Sequence, residues 1–149
     1  DEPLVHPMMI DALARPLMDN AQISMATLMK KIENPEEIND PHVVKVVVDK
    51  NNFALYFSRA AIPYYPPNSE ISEPVYYKHI GLYSYTKDFL FTYKNLPISK
   101  LERTEKLEQL RVLEEGYKIK VVETKYETIG VDTPQDLEKL KEYLESHKI

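Results

Sequence analysis

Cysteine is absent from this 149-residue sequence, so the chain can form no disulfide and no thiolate metal site. It also has no apolar run of about 18 residues, so we expect no membrane insertion. The basic and then apolar start of a secretory signal peptide is missing as well. Together these absences favour a cytoplasmic protein.

Positive charge is in deficit, since the formal net charge is −5. A protein that binds nucleic acid through bulk charge is therefore not expected, although a locally basic pocket for an acidic substrate stays open. The length suits one domain, and no internal repeat is present. An initiator methionine is missing too, because the chain opens with DEPLV. Of processing and truncation, we favour truncation, so that residues 1–149 form the later part of a longer protein.

The pattern of apolar residues predicts a mixed α/β domain. Residues 43–49 and 53–59 read as antiparallel strands around the turn KNN, and residues 77–85 alternate as a further strand. Helices are expected near residues 6–20, 86–94, 99–116 and 134–146, with further strands at 23–29 and 118–124. Ser99 and Glu102 form a capping box, and Gly116 supplies a left-handed stop.

Two aromatic side chains of the strand at 77–85 are candidate ligand contacts. His79 and Tyr83 alternate onto one face, and Gly81 between them leaves the backbone open to a ligand. The alternative is a half-buried aromatic strand with a hydrogen-bonded histidine.

Acidic residues of the 99–116 helix are a second candidate. Glu105 and Glu108 fall at helical spacing between Leu101 and Val112, and they could face a polar cavity. The alternative is a solvated face with ion pairs. Arg59 ends a strand and could hold a carboxylate or phosphate with its fork of donors, or could instead extend along a sheet edge.

Two carboxylates could form a magnesium site if the fold brings them together. Asp132 is one, because Thr133 and Asp136 already serve the start of the last helix. Asp1 is the other. The alternative for both is capping or solvation at loop ends.

Several motifs, taken together and in order, resemble the 3-deoxy-manno-octulosonate cytidylyltransferases, the enzymes that make CMP-Kdo. The motifs are DEP at 1–3, MATL at 25–28, VKVV at 44–47, ALYFSR at 54–59 with IP at 62–63, HIGLY at 79–83, LEQLRVL at 107–113 and GVDTPQDL at 130–137. The resemblance runs along nearly the whole chain.

The resemblance implies cytidylyl transfer from CTP to the sugar acid Kdo, releasing pyrophosphate, for lipopolysaccharide synthesis. It implies Mg²⁺ on Asp1 and Asp132 as the catalytic metal ligands, and a homodimer. It implies Kdo contacts at five positions, namely Arg59, His79, Tyr83, Glu108 and Gln109. Tyrosines at 64, 65, 76 and 77 offer aromatic surface suited to an interface.

The same resemblance implies a three-layer nucleotidyltransferase-like mixed sheet. We expect it to be incomplete, because the family's opening βα units, with the phosphate-binding loop and cytosine pocket, precede the DEP motif. Residues 1–149 would then be the C-terminal sugar-binding and dimerisation part of the enzyme. Two alternatives remain, a non-catalytic module left by truncation and a cytidylyltransferase for another sugar acid.

Overall fold

The computed structural model describes residues 4–67, 70, 73–128, 131 and 134–147. The described chain contains both helices and strands. In order, they are α1 (Pro7–Asp19), β1 (Met25–Lys31), α2 (Glu36–Asn39), β2 (Lys45–Val48), β3 (Ala54–Ser58), β4 (Tyr77–Tyr85), α3 (Lys87–Asn95), α4 (Lys100–Glu105), α5 (Leu110–Glu114), β5 (Lys120–Glu123) and α6 (Pro134–His147). None of these helices is long and apolar enough to cross a membrane.

The strands of the described residues form one mixed sheet in the order β3-β2-β4-β1-β5. β1 and β5 are parallel, whereas β1 pairs antiparallel with β4, and β2 antiparallel with β3. The predicted hairpin is therefore confirmed, with Val46 opposite Phe57. The hairpin also curls back to β5, where the Ala54 amide donates to the Ile119 carbonyl at 2.9 Å.

Helices cover both faces of the sheet. On one face, Met9 and Leu13 of α1 pack against Leu28 and Ile80. On the other face, α3, α5 and the segment before α5 close a larger core. That core contains Met25, Met29, Val46, Phe57, Phe89, Leu107, Leu110, Val112, Ile119 and Val121. The predicted α/β class is confirmed, while the incompleteness of the sheet stays a prediction.

The single helix predicted over 99–116 is wrong, because the structure has two short helices there. The capping box is present, with the Ser99 hydroxyl accepting from the Glu102 amide and the Glu102 carboxylate accepting from the Ser99 amide. Lys106 then adopts a left-handed conformation at φ 56° and ends α4, and α5 begins at Leu110. Gly116 has φ 79°, as its predicted role requires. Residues on the two sides of this break therefore do not share one helix face.

The first and last helices lie where the sequence predicts them. A proline inside a helix kinks or ends it, and α1 continues past Pro16 to Asp19. The helical spacing of the leucines in α6 predicts that Leu137 and Leu140 face inward, but only Leu140 is buried, and Leu137 is 42% exposed, so the prediction is wrong for Leu137. One apolar side chain facing solvent on such a helix is ordinary.

Candidate functional site

A bulge in β4 sets the surroundings of His79. Thr27 of β1 lies opposite Tyr83, whereas the next residue, Leu28, lies opposite Ile80, so two residues of β4 are left unpaired. One of them is Gly81, which is exposed, and a Cβ there would meet nothing within 4 Å. The backbone at Gly81 therefore faces open space, and the bulge shapes this part of the strand.

Thr27 fixes the tautomer of His79. The Thr27 hydroxyl lies 2.8 Å from the Leu82 carbonyl and 2.9 Å from His79 Nε2. A hydroxyl has one proton, and a carbonyl can only accept, so Thr27 donates to Leu82 and accepts from His79 Nε2–H. Burial lowers the pKa of His79 to about 3, so the ring is neutral at physiological pH. His79 Nδ1 is thus an acceptor, and within the described residues it has no protein donor.

Aromatic rings continue from His79 across the sheet onto α3. The His79 and Tyr83 centroids are 5.4 Å apart, Tyr83 stacks on Tyr85 at 6.0 Å, and Tyr85 stacks on Tyr93 at 5.7 Å. Burial first, and neighbouring groups second, raise the pKa of Tyr83 well above its usual value and that of Tyr85 to about 12. These hydroxyls therefore stay protonated and can donate hydrogen bonds.

The connection between α4 and α5 brings Glu108 and Gln109 to the same side of the sheet. Glu108 is exposed, and its charge contributes to the raised pKa values of Tyr83, Tyr85 and Tyr93. Gln109 is only 5% exposed, yet its side-chain amide bonds to no other residue in the described part of the chain. A buried amide left without partners is costly, so this group suits a ligand or a water.

Arg59 is fastened to the main chain around this connection. Its Nε donates to the Glu105 carbonyl at 2.8 Å, Nη1 to the Pro41 carbonyl at 2.8 Å, and Nη2 to the Lys106 carbonyl at 3.4 Å. Glu105 in turn accepts from the Arg59 amide at 3.0 Å and from the Ser58 hydroxyl at 2.7 Å. Burial alone would raise the pKa of Glu105, but these hydrogen bonds outweigh it and lower the pKa.

A cavity of about 380 Å³ opens beside Glu108. Its other lining residues are Ile98, Glu102, Arg103 and Lys106. Arg59, His79, Tyr83 and Gln109 do not line this cavity. Of the five predicted sugar contacts, the structure therefore places only Glu108 at this opening.

The two predicted metal ligands, Asp1 and Asp132, lie outside the described residues. Among the described residues, Tyr126, which follows β5, stacks on His6, which precedes α1, with ring centroids 3.8 Å apart. The start of the described chain is thus in contact with the segment after β5. Among the residues that the structure describes, no three acidic or histidine side chains form a metal-binding group.

Sequence reasoning missed two contributors to this site. Thr27 orients His79, and its only signal was one hydroxyl residue in the otherwise apolar stretch MATLM. Tyr93 extends the aromatic row from another element, and no local pattern connects α3 with β4.

The structure is an α/β domain whose described strands form one five-stranded mixed sheet. It superposes on a solved CMP:2-keto-3-deoxy-manno-octonic acid synthetase complexed with CTP with a TM-score of 0.89. The two sequences are 40% identical, and the match covers 99% of this chain and 59% of the other.

Residues 1–121 match the family described as cytidylyltransferase, and the chain belongs to that family. It is 54% identical over 140 residues to the 3-deoxy-manno-octulosonate cytidylyltransferase of Solibacter usitatus, covering 94% of this chain and 55% of the relative. It is 50% identical over 149 residues to the protein of the same name from Fusobacterium nucleatum, covering 100% and 60%. The chain thus spans less than two thirds of the length of these relatives.

Proposed function

We propose that this chain is the sugar-binding part of an enzyme that transfers a cytidylyl group from CTP to Kdo. The observation that carries the proposal is the buried side-chain amide of Gln109, directly after Glu108, for which no other described residue supplies a hydrogen-bond partner. His79 Nδ1 offers an acceptor, and the buried Gln109 amide offers both a donor and an acceptor. A sugar with several hydroxyls would satisfy them. Relatives at 50–54% identity carry the name of this activity.

In the proposed reaction, the anomeric hydroxyl of Kdo attacks the α-phosphorus of CTP. An oxygen–phosphorus bond forms, the bond to the β-phosphate oxygen breaks, pyrophosphate leaves with the electron pair, and the hydroxyl proton passes to solvent. The residues of this chain would act mainly by orienting the sugar, since positioning supplies much of the rate in such transfers. His79, Tyr83, Glu108 and Gln109 would hold hydroxyls, and Arg59 would use its two remaining N–H groups on the sugar carboxylate.

Mg²⁺ is proposed to bind Asp1 and Asp132 together with the nucleotide. Carboxylates are the hard oxygen ligands that this ion prefers, and the His6–Tyr126 stack brings the start of the described chain against the segment after β5. When bound, the ion would offset the charge of the triphosphate. Replacing Asp132 with Asn should remove most turnover while leaving the thermal midpoint unchanged. Near-normal turnover at low Mg²⁺ would contradict this assignment.

The substrate assignment is tested in the full-length product of the gene by pyrophosphate release. Glu108→Gln should raise the KM for Kdo about tenfold, the equivalent of one charged hydrogen bond, with little change in the KM for CTP. Glu115→Gln, the same charge change at the exposed end of α5, is the control and should behave like the wild type. An unchanged KM for Kdo in Glu108→Gln would refute the sugar site. Release with another sugar acid but not Kdo would favour the alternative substrate, and no release at all would favour a non-catalytic module.

A homodimer in the cytoplasm is the proposed assembly. The tyrosines named as interface surface are not equally available, because Tyr65 packs edge-on against Tyr76 at 5.2 Å and donates to the Val75 carbonyl. Tyr64, in contrast, is 79% exposed. Sedimentation velocity at tens of micromolar should show a dimer, and Tyr64→Ser should weaken it if this loop is in the interface. A monomer for the wild-type protein would refute the dimer.

A further inference from the structure

Arg59 stands out because its guanidinium is directed to backbone rather than to side chains. Three of its five N–H groups donate to carbonyls, and two of these belong to consecutive residues, Glu105 and Lys106. The third carbonyl belongs to Pro41, in the segment before β2. Arginine presents its donors in a rigid planar fork, so three such bonds fix the carbonyls relative to one another.

The carbonyl of Lys106 belongs to a residue with an unusual backbone. Lys106 has φ 56° and ψ 46°, the left-handed region that non-glycine residues rarely occupy. Such a conformation persists only where the surrounding structure holds it. The Glu105 carboxylate also helps to hold this part of the backbone in place, since it accepts hydrogen bonds from the Ser58 hydroxyl and the Arg59 amide at the end of β3.

The turn at Lys106 decides where the next residues point. Glu108 and Gln109 follow it by two and three positions, and α5 begins directly afterwards. If Lys106 relaxed to a right-handed conformation, α4 would continue and both side chains would rotate away from their present places. Leu107 and Leu110 are buried on either side of them, so the register of the connection is tied to the core.

We infer that Arg59 is a positioning residue, which holds the Lys106 turn so that Glu108 and Gln109 face the sugar acid. This role rests on the proposed function and is separate from any contact that Arg59 makes with the sugar. It predicts that substituting Arg59 raises the KM for Kdo less when residue 106 is a glycine, which adopts the left-handed turn without support.

The test combines two substitutions in the full-length product of the gene. Arg59→Lys keeps the positive charge but cannot reach three carbonyls, so the KM for Kdo should rise about tenfold with an unchanged KM for CTP. Lys106→Gly adopts a positive φ freely, and its KM for Kdo is the reference for the double variant, because the change also removes a side chain that lines the cavity beside Glu108. In this glycine background, Arg59→Lys should raise the KM for Kdo by only about threefold, since the turn no longer depends on Arg59 and only a direct contact with the sugar is lost. Arg15→Lys, an exposed position on α1, is the control.

A double variant as impaired relative to Lys106→Gly as Arg59→Lys is relative to the wild type would overturn the inference, because a direct contact with the sugar cannot be restored by glycine at 106. A uniform loss of stability with both KM values raised would also overturn it, as a purely structural effect. The amides of 110–112 donate to the carbonyls of 107–109, so their hydrogen exchange gives a readout without substrate. It should rise in Arg59→Lys and fall again in the double variant. If Glu108→Gln leaves the KM for Kdo unchanged, the proposed function fails, and the exchange result still decides the role of Arg59.

Discussion

His79 is the residue whose surroundings differ most from those of a free side chain. Its ring packs edge-on against Phe57 with centroids 4.9 Å apart, contacts Tyr83, and donates to Thr27. No carboxylate contributes to its pKa, and burial alone lowers the value to about 3. The neutral ring is therefore part of the folded state, and the charged ring belongs to the unfolded state at mildly acidic pH.

The pH dependence of stability should report this difference. The unfolded histidine has a pKa of about 6.5, so the unfolded state takes up a proton as the pH falls below that value while the folded state does not. Folding stability is then complete above about pH 6.5 and declines toward the folded pKa. Between pH 7.5 and 5, His79 should contribute a loss of about 2 kcal/mol, which His79→Asn abolishes. Urea denaturation of both proteins at the two pH values measures it, and parallel curves would contradict a neutral buried ring.

On the scale of elements, one ion pair joins the short helices α4 and α5, and its arginine also lies over an aromatic ring of α3. Glu102 caps α4 through the Ser99 amide and also accepts from Arg111 of α5, at 2.8 Å from Nε and 2.5 Å from Nη2. The guanidinium lies 5.5 Å from the ring centre of Tyr93 on α3. The hydrogen bonds from Arg111 are the main reason why the pKa of Glu102 is lowered. Helices this short form few internal bonds, so such contacts between them matter.

Removing this pair should therefore weaken the whole region. Arg111→Met leaves the Glu102 carboxylate buried with only its capping bonds, and we expect a loss of about 2–3 kcal/mol in the free energy of unfolding. The matched control is Lys141→Met on α6, which breaks the exposed pair with Glu138 and should change stability by less than about 0.5 kcal/mol. Equal effects of the two variants in thermal denaturation would contradict the argument.

For the molecule as a whole, Lys78 connects parts that are distant in sequence. Its ammonium in β4 pairs with Glu37 of α2 at 2.7 Å and with Glu127 after β5, and Lys30 also pairs with Glu127 at 3.0 Å. Burial alone would lower the pKa of Lys78, but the hydrogen bonds to Glu127 and Glu37 outweigh it and raise the pKa. This network therefore ties the segment after β5 to β1, β4 and α2.

Loss of Lys78 should loosen that segment before it unfolds the domain. Lys78→Met should cost about 1–2 kcal/mol, less than a fully buried pair because Glu127 is half exposed. It should also speed hydrogen exchange at the amides of Thr124, which donates to the Met29 carbonyl of β1, and of Tyr126, which donates to the Thr124 hydroxyl. Lys30→Met removes one of the contacts and should have a smaller effect on the same amides. Unchanged exchange in Lys78→Met would show that the segment is held by other contacts.

Local signals in the sequence were enough for most elements. Alternation and the KNN turn predicted the hairpin, the S-x-x-E pattern predicted the start of α4, and Gly116 predicted a left-handed stop. These features depend on residues close together in the chain, so local chemistry decides them. The family motifs likewise predicted membership that residues 1–121 confirm.

Only the tertiary structure decided the break at Lys106 and the partners of Arg59. Helical spacing over 99–116 favoured one helix, but the capping bond to Glu102, its pairing with Arg111, and the carbonyls held by Arg59 favour a turn. The tautomer of His79 could not be predicted from the local sequence either, because it depends on Thr27 of another strand. In each case the deciding energy comes from contacts between residues far apart in sequence, whereas local propensity amounts to only tenths of a kcal/mol per residue.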